Sequence, residues 1–373
     1  MMKTQPRIAL VLSSMKIGGM QRVMLHLADG FIKKGYTVDF VVVKAKGPFL
    51  KMLPAEVNLV DLGAKRVLSA FPAMIQYLRK NKPDAILSGL THINIAMLIS
   101  RYLSGISTRL VVSEVSNFAQ KKIYNTKIWD RFINELVNLF YPFADDIVAV
   151  SKDAADDLVK STKLDPKSIT AIYNPVDVDE IIKLSKKEIS QTIKLNSTPF
   201  ILAVGRLSKP KDYPTLIKAF NIIRSKMQIQ LIIIGEGEGK LEIEELVNAS
   251  PYPHDIRLIG ETNNPFPFMA KADVFVLSSA WEGFGMVLVE ALACGATVVS
   301  TDCHSGPSEI LENGKYGRLV PVGDPQSLAD AIQFSLNHPF PKEQCVARAK
   351  EFSVERAVDA YLKILFPETN DRP

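Results

Sequence analysis

Three cysteines, five histidines and two tryptophans are few for 373 residues, and each scarcity narrows what the chain can be. Cys294, Cys303 and Cys345 are odd in number and lack metal-ligand spacing. They are read as reduced thiols of a cytoplasmic protein rather than as a disulfide framework or a zinc site. No apolar run is long enough to span a bilayer, and no charged-then-apolar signal segment opens the chain. No Asp-x-Asp pair suggests a divalent metal, since Asp145 and Asp146 are adjacent rather than alternating, so no metal site is expected. Sustained two-residue alternation is also missing, which argues against a β-sandwich or barrel.

What is present is a globular composition, 47% hydrophobic and 23% charged, on a length that suits two domains. The net charge of +5 conceals an asymmetry. Residues 1–175 hold 24 Lys and Arg against 14 Asp and Glu, whereas the remainder holds 21 against 26. The basic half is expected to face something anionic.

The chain is organised around the stretch Asp273–Glu312. DVFVLS reads as a buried strand, WEGFG as a glycine turn, Met286–Cys294 as a helix stopped by Gly295, and ATVVST as a second strand before the turn Ser305–Gly306–Pro307. Both turns would open at the C-terminal edge of one parallel sheet, where open α/β sheets bind ligands. Glu290 lies among apolar or small neighbours, and a charge buried there is costly unless partnered. Glu282 precedes the helix, beside Phe284 and the glycines Gly283 and Gly285, which let backbone amides approach an anion.

Strand–turn–helix units repeat on both sides of this stretch and predict two doubly wound parallel sheets. RIALVLSS leads into Gly18–Gly19 and an apolar-periodic helix that carries Arg22, a strand-to-helix turn tolerant of phosphate. His92 falls just past the strand DAILSG, and Glu114, Ser116 and Asn117 just past RLVVSE, as acceptor-contact candidates. Lys121–Asp146 interleaves Lys and Arg with Tyr124, Trp129, Phe132 and Phe143; it suits either a core helix with a basic face or an interfacial helix on anionic lipid. FILAVG is followed at once by Arg206 and then by Lys211, two cations at a strand edge that form a diphosphate clamp; Lys209 is an alternative for the second position. In IIIGEGEGK, Glu236 and Glu238 would repel phosphate, so Gly235 and Gly237 are read as shaping a base pocket.

Three motifs together carry a family resemblance: the E-x7-E segment EGFGMVLVE continuing into EALACGATVVSTD, the SGPSEIL turn, and GRLSKPKD. They resemble the retaining glycosyltransferases of family GT4, and the DCHSGPSEIL wording is similar to enzymes that build bacterial lipid-linked oligosaccharides and surface polysaccharides. The resemblance implies the GT-B fold: two Rossmann-like domains facing a cleft. An acceptor-side domain would span 1–175, completed by a C-terminal helix at about 353–373. A linker would follow at 176–198, and a nucleotide-sugar domain at 199–352.

For the residues, the resemblance implies that Gly18 and Gly19 lie against the donor diphosphate, which Arg206 and Lys211 neutralise. Gly260 would meet the nucleobase, Glu290 the ribose, and Glu282 with Gly283–Gly285 the donor sugar, with His92 near the reacting centre. The implied chemistry is transfer of a hexose or N-acetylhexosamine, with retention and without metal or cofactor. The donor would be a nucleoside-diphosphate sugar, UDP favoured over GDP, and the acceptor a hydroxyl, with a polyprenyl-diphosphate-linked glycan as its candidate carrier. The protein would sit peripherally on the anionic inner face of the cytoplasmic membrane, with no nucleic-acid partner. A GT-B nucleotide-sugar epimerase and a non-catalytic nucleotide-sugar sensor are the rival expectations.

Overall fold

The computed structural model describes residues 5–114, 128–189 and 198–367. The chain forms two compact units, Met1–Pro175 with Val354–Pro373, and Val176–Ser353.

The first unit is built on β1 (Arg7–Leu12), β2 (Thr37–Val42), β3 (Asn58–Asp61), β4 (Ala85–Gly89), β5 (Arg109–Glu114), β6 (Asp146–Ala149) and β7 (Ile169–Ala171). All pair in parallel, in the order β3-β2-β1-β4-β5-β6-β7. β1 has five consecutive fully buried residues, Ile8–Leu12, because helices cover both faces of a parallel sheet and leave no room for alternation. The C-terminal helix Val354–Leu365 belongs to this unit. It crosses helix Gly19–Lys33 at Gly30, where a Cβ would lie 2.3 Å from Val358 Cγ2. Lys34–Asp359 (2.8 Å) and Arg109 Nε donating to Ile364 O (2.6 Å) hold the middle and the C-terminal end of the docked helix.

The second unit is built on β8 (Phe200–Val204), β9 (Gln230–Ile234), β10 (Ile256–Gly260), β11 (Val274–Leu277), β12 (Val298–Thr301) and β13 (Arg318–Val320). They are parallel in the order β10-β9-β8-β11-β12-β13. Residues 176–189, expected to begin a linker, instead join this unit. Val176 pairs with Ser353, and helix Val178–Ser185 packs on helices Phe266–Lys271 and Met286–Ala293. Its amphipathic spacing buries Val178 and Ile181, which gives an otherwise polar segment a reason to dock.

Each sheet thus reverses its strand order once, between β1 and β4 and between β8 and β11. At such a reversal the connections leave in opposite directions and open a crevice beyond the strand ends.

Candidate functional site

In the second unit, the two loops flanking the reversal are bonded to one another. Beyond β8 the chain turns through Gly205–Arg206 and makes a short 3-10 turn at Lys209–Lys211. Asp212 then takes a left-handed conformation (φ 44°) and caps helix Tyr213–Arg224, accepting from Thr215 N at 3.3 Å and Thr215 Oγ1 at 2.7 Å. The loop leaving β11 clasps this turn: Ala280 N donates to Pro210 O at 2.8 Å, and Ser278 Oγ donates to Lys211 O at 2.8 Å.

The side chains complete what the backbone begins. Lys211 Nζ donates to Glu282 Oε1 at 2.5 Å, and Ser279 Oγ donates to the same oxygen at 2.6 Å. The ion pair is mostly covered, with Lys211 20% and Glu282 11% exposed. Its charge is felt nearby: burial, then Glu282, pushes the Tyr213 phenol up and the Cys303 thiol up to about 12. The Lys211 stem runs over Gly205, where a Cβ would touch its Cε at 3.4 Å. Arg206, next in sequence, is exposed, and among the described residues no carboxylate pairs with it. The two expected clamp cations therefore differ, one already tied to the expected sugar-binding acid and one open to an incoming anion.

Gly285, at φ 86°, starts helix Met286–Ala293. Gly306 (φ 111°) is pressed against the same turn so closely that a Cβ would fall 1.8 Å from Phe284 O. The glycine turns after β11 and β12 are thus in backbone contact at the head of the helix. Gly283 is exposed and Phe284 is buried, with its ring edge-on to Phe352. Glu290, one turn into the helix, is buried among Leu288, Val289, Ala291 and Leu292 rather than on a solvated face. Burial, then the Glu290 charge, pushes the Cys294 thiol up to about 12. Burial also raises Cys345, to about 11, so all three thiols stay protonated at neutral pH.

The glycines after β9 have a packing reason. A Cβ on Gly235 would sit 1.9 Å from Gly205 O, and one on Gly237 2.3 Å from Leu207 O. They let the loop lie flat on the exit from β8, and Glu236 turns to Lys240 at 2.9 Å. Gly260, at φ 81°, accepts from Gly235 N at 2.9 Å and ends β10 at the same edge.

In the first unit, Gly18 and Gly19 open helix Gly19–Lys33 directly after β1. Gly18 is extended (φ −178°), so its conformation does not require glycine, and a Cβ there would meet the flexible Gln21 side chain, whose Oε1 lies 2.3 Å from that position. Gly89, ending β4, lies under that helix, with a Cβ position 3.0 Å from Met20 Sδ and Met24 Cε. His92 follows and is exposed in the first turn of helix Thr91–Ser104. Leu90 before it has φ 78°, a conformation costly for a branched side chain.

Glu114, expected to stand open to an acceptor, is instead only 2% exposed. Its carboxylate accepts from Thr91 Oγ1 at 3.1 Å and Tyr141 Oη at 2.6 Å. Asn94 joins them, donating to Ser113 O at 2.9 Å and Tyr141 Oη at 3.0 Å. The acid braces the turn that carries His92, and burial with the nearby Glu114 charge raises the Tyr141 phenol. These partners were missed in the sequence because Thr91 and Asn94, on one helix, and Tyr141, in a second segment, lie far from Glu114 along the chain. Ser116 and Asn117 lie outside the described residues, as do Lys121, Lys122, Tyr124 and Lys127.

Among the described residues no three His, Cys, Asp or Glu cluster to hold a metal ion, and no helix is long and apolar enough to cross a membrane. Asp145 and Asp146 are neutralised by Arg101 and Arg109.

Two family models cover the chain, Glycosyltransferase Family 4 over residues 17–180 and Glycosyl transferases group 1 over residues 185–352. The chain is 34% identical over 326 residues to a Campylobacter jejuni N-acetylgalactosamine-N,N'-diacetylbacillosaminyl-diphospho-undecaprenol 4-alpha-N-acetylgalactosaminyltransferase, covering 86% of this chain and 83% of that protein. A second C. jejuni protein is 26% identical over 96% of this chain and 98% of its own length. It is named as an alpha-1,4-N-acetyl-D-galactosaminyltransferase acting on a GalNAc-containing diNAcBac-PP-undecaprenol. Among solved structures, Anabaena HepE in complex with UDP superposes with a TM-score of 0.80 at 20% identity, covering 97% of this chain and 99% of that one.

Proposed function

Because this chain belongs to the group 1, family 4 glycosyltransferases, we propose that it moves a hexose or N-acetylhexosamine from a UDP-sugar to a hydroxyl of a polyprenyl-diphosphate-linked glycan, with retention of anomeric configuration. The observation that carries this reading is the Lys211–Glu282 pair beside Arg206, with which no carboxylate pairs among the described residues, at the strand-order reversal of the second unit. The named acceptors of the two C. jejuni relatives and the UDP bound by HepE support the choice of substrates.

In the proposed reaction the bond from the anomeric carbon to the diphosphate oxygen breaks, and a bond to the acceptor oxygen forms on the same face. The acceptor proton passes to the departing diphosphate. Arg206 and Lys211 meet the negative charge that grows on the leaving group, together with amides at the start of helix Met286–Ala293. Glu282 orients Lys211 while its second oxygen faces the sugar hydroxyls. Glu290 takes the ribose, Gly260 lies at the base, and His92 with Gly18 and Gly19 borders the reacting end. We place the protein peripherally at the cytoplasmic face of the membrane, where such acceptors are built.

The test is a panel of UDP- and GDP-sugars incubated with a polyprenyl-diphosphate-linked oligosaccharide. The expected product is the same lipid longer by one α-linked sugar from a UDP donor. An inverted linkage, or no transfer from any member, would refute the reading; donor epimerised without acceptor would support the rival enzyme.

Two further outcomes are expected. Fixed cations do the electrostatic work that a divalent ion would otherwise do, so activity should persist in EDTA. Loss in EDTA with recovery on adding Mn²⁺ would overturn that. Glu290→Gln should weaken binding of UDP alone, whereas Glu282→Gln should mainly lower turnover with the sugar present. Calorimetric titration with UDP checks this division, and equal losses of UDP affinity in both variants would contradict it.

A further inference from the structure

The loops that leave β1, β2 and β3 are laced together. Lys44 N donates to Ser13 O at 3.2 Å, Met15 N to Lys46 O at 2.9 Å, and Phe49 N to Met15 O at 3.1 Å. Gly47 (φ 126°) lies so close that a Cβ would be 2.1 Å from Met15 O. The third loop joins through Leu62 N to Val42 O and Ala64 N to Val43 O, both 2.9 Å. Three neighbouring strands at one side of the sheet therefore present one continuous loop surface.

It gathers cations and exposed aliphatic side chains on one face. Lys16, Lys44, Lys46, Lys51, Lys65 and Arg66 are all exposed, and none forms an ion pair among the described residues. Some surface lysines elsewhere are paired within one helical turn, as in Lys33–Asp29, Lys183–Glu180, Lys240–Glu236 and Lys315–Glu312. The acids beside the cluster are Glu56 and Asp61, and Asp61 Oδ1 already accepts from Gly63 N at 2.9 Å. Among these cations stand three aliphatic side chains left in water: Ile17 (61% exposed), Met52 (63%) and Leu68 (81%).

We propose that this loop surface docks the protein on an anionic lipid bilayer, with the six cations at headgroup level and Ile17, Met52 and Leu68 entering the acyl boundary. It deepens the reading of a membrane-borne acceptor by naming the surface. Cations alone would suit any polyanion, but exposed aliphatics among them have a favourable destination only where apolar medium lies just beyond the charge. A single-stranded nucleic acid would instead call for exposed aromatic stacking platforms, and the one aromatic residue of these loops, Phe49, is buried.

The test is co-sedimentation of the full chain with vesicles of phosphatidylcholine alone or containing 30 mole per cent (about a third) phosphatidylglycerol. Binding is expected only to the anionic vesicles, weakening as salt is raised from about 0.05 to 0.5 M. Lys46→Ser, Lys51→Ser, Lys65→Ser and Arg66→Ser together should lower the partition coefficient at least about tenfold. Met52→Ser with Leu68→Ser should lower it without changing the salt dependence. Because these side chains are exposed, both variants should keep the wild-type melting temperature and full turnover on a short-chain, water-soluble acceptor. Inorganic pyrophosphate at constant ionic strength should not release the bound protein. Absent binding to anionic vesicles, unaltered binding by either variant, or release by pyrophosphate each overturns the proposal. None of these readouts needs donor or turnover, so a failed transferase assay would leave the docking result intact, and the converse holds as well.

Discussion

Lys211→Ala is expected to lower kcat/KM by about thirty- to a thousandfold, corresponding to about 2–4 kcal/mol of transition-state stabilisation. Lys211 is held twice, by its backbone carbonyl on Ser278 and by its ammonium on Glu282. It is thus fixed before any donor arrives, and little reorganisation is needed as leaving-group charge grows. Removing it also leaves Glu282, 11% exposed, without its cation, so some stability should be lost with the activity. Arg206→Ala should give a comparable kinetic loss with an unchanged melting temperature, because Arg206 is exposed and has no carboxylate partner among the described residues. Steady-state kinetics beside thermal melts distinguish the two cations. Wild-type kcat/KM in either variant would remove that residue from the site.

Strands and glycine turns were legible in the sequence for a physical reason. A strand covered on both faces reads as an unbroken apolar run, as in RIALVL, FILAV and QLIII, and the turn after it must supply glycine or a cap. The β13 strand was not singled out, because RLV is three residues long and only half-buried at its start. Helix Val178–Ser185 was read as linker for a related reason: two buried residues in eight are too weak a periodic signal to distinguish docking from solvation.

The site was legible at the level of single residues and not of pairs. Arg206, Lys211, Glu282 and Glu290 follow from local wording, but nothing local says that Lys211 and Glu282 meet across 71 residues. That contact follows from β8 and β11 being neighbours, a property of the sheet order. Glu114 shows the same limit. Its place at a strand end was visible, whereas its burial depends on Thr91 and Tyr141, which the fold brings in from either side. The glycines of IIIGEGEGK show it in a third form, since the close approach of Gly235 and Gly237 to the backbone of Gly205 and Leu207 is set by the sheet order and not by local wording.

The same distinction gives the last expected result, that Gly306→Ala should destabilise the second unit by about 2–4 kcal/mol, whereas Gly323→Ala should cost about 1 kcal/mol. Both glycines have positive φ, 111° and 73°, so both substitutions carry a conformational cost. Only Gly306 adds a collision. Its Cβ would lie 1.8 Å from Phe284 O, 2.6 Å from Phe284 C and 3.0 Å from Phe284 Cα, all backbone atoms that no rotamer change can move aside. Gly323 has nothing within 4 Å of the same position. Relief at 306 must come from separating the turns after β11 and β12, and that displaces Gly285 and the start of the helix carrying Glu290. Gly306→Ala should therefore also weaken UDP binding, while Gly323→Ala leaves it unchanged. Melting temperatures should fall by about 5–15 °C for the first and by only a few degrees for the second. Equal shifts would mean that the turns are not locked together, and an undisturbed UDP affinity in Gly306→Ala would mean that their contact does not set the donor site.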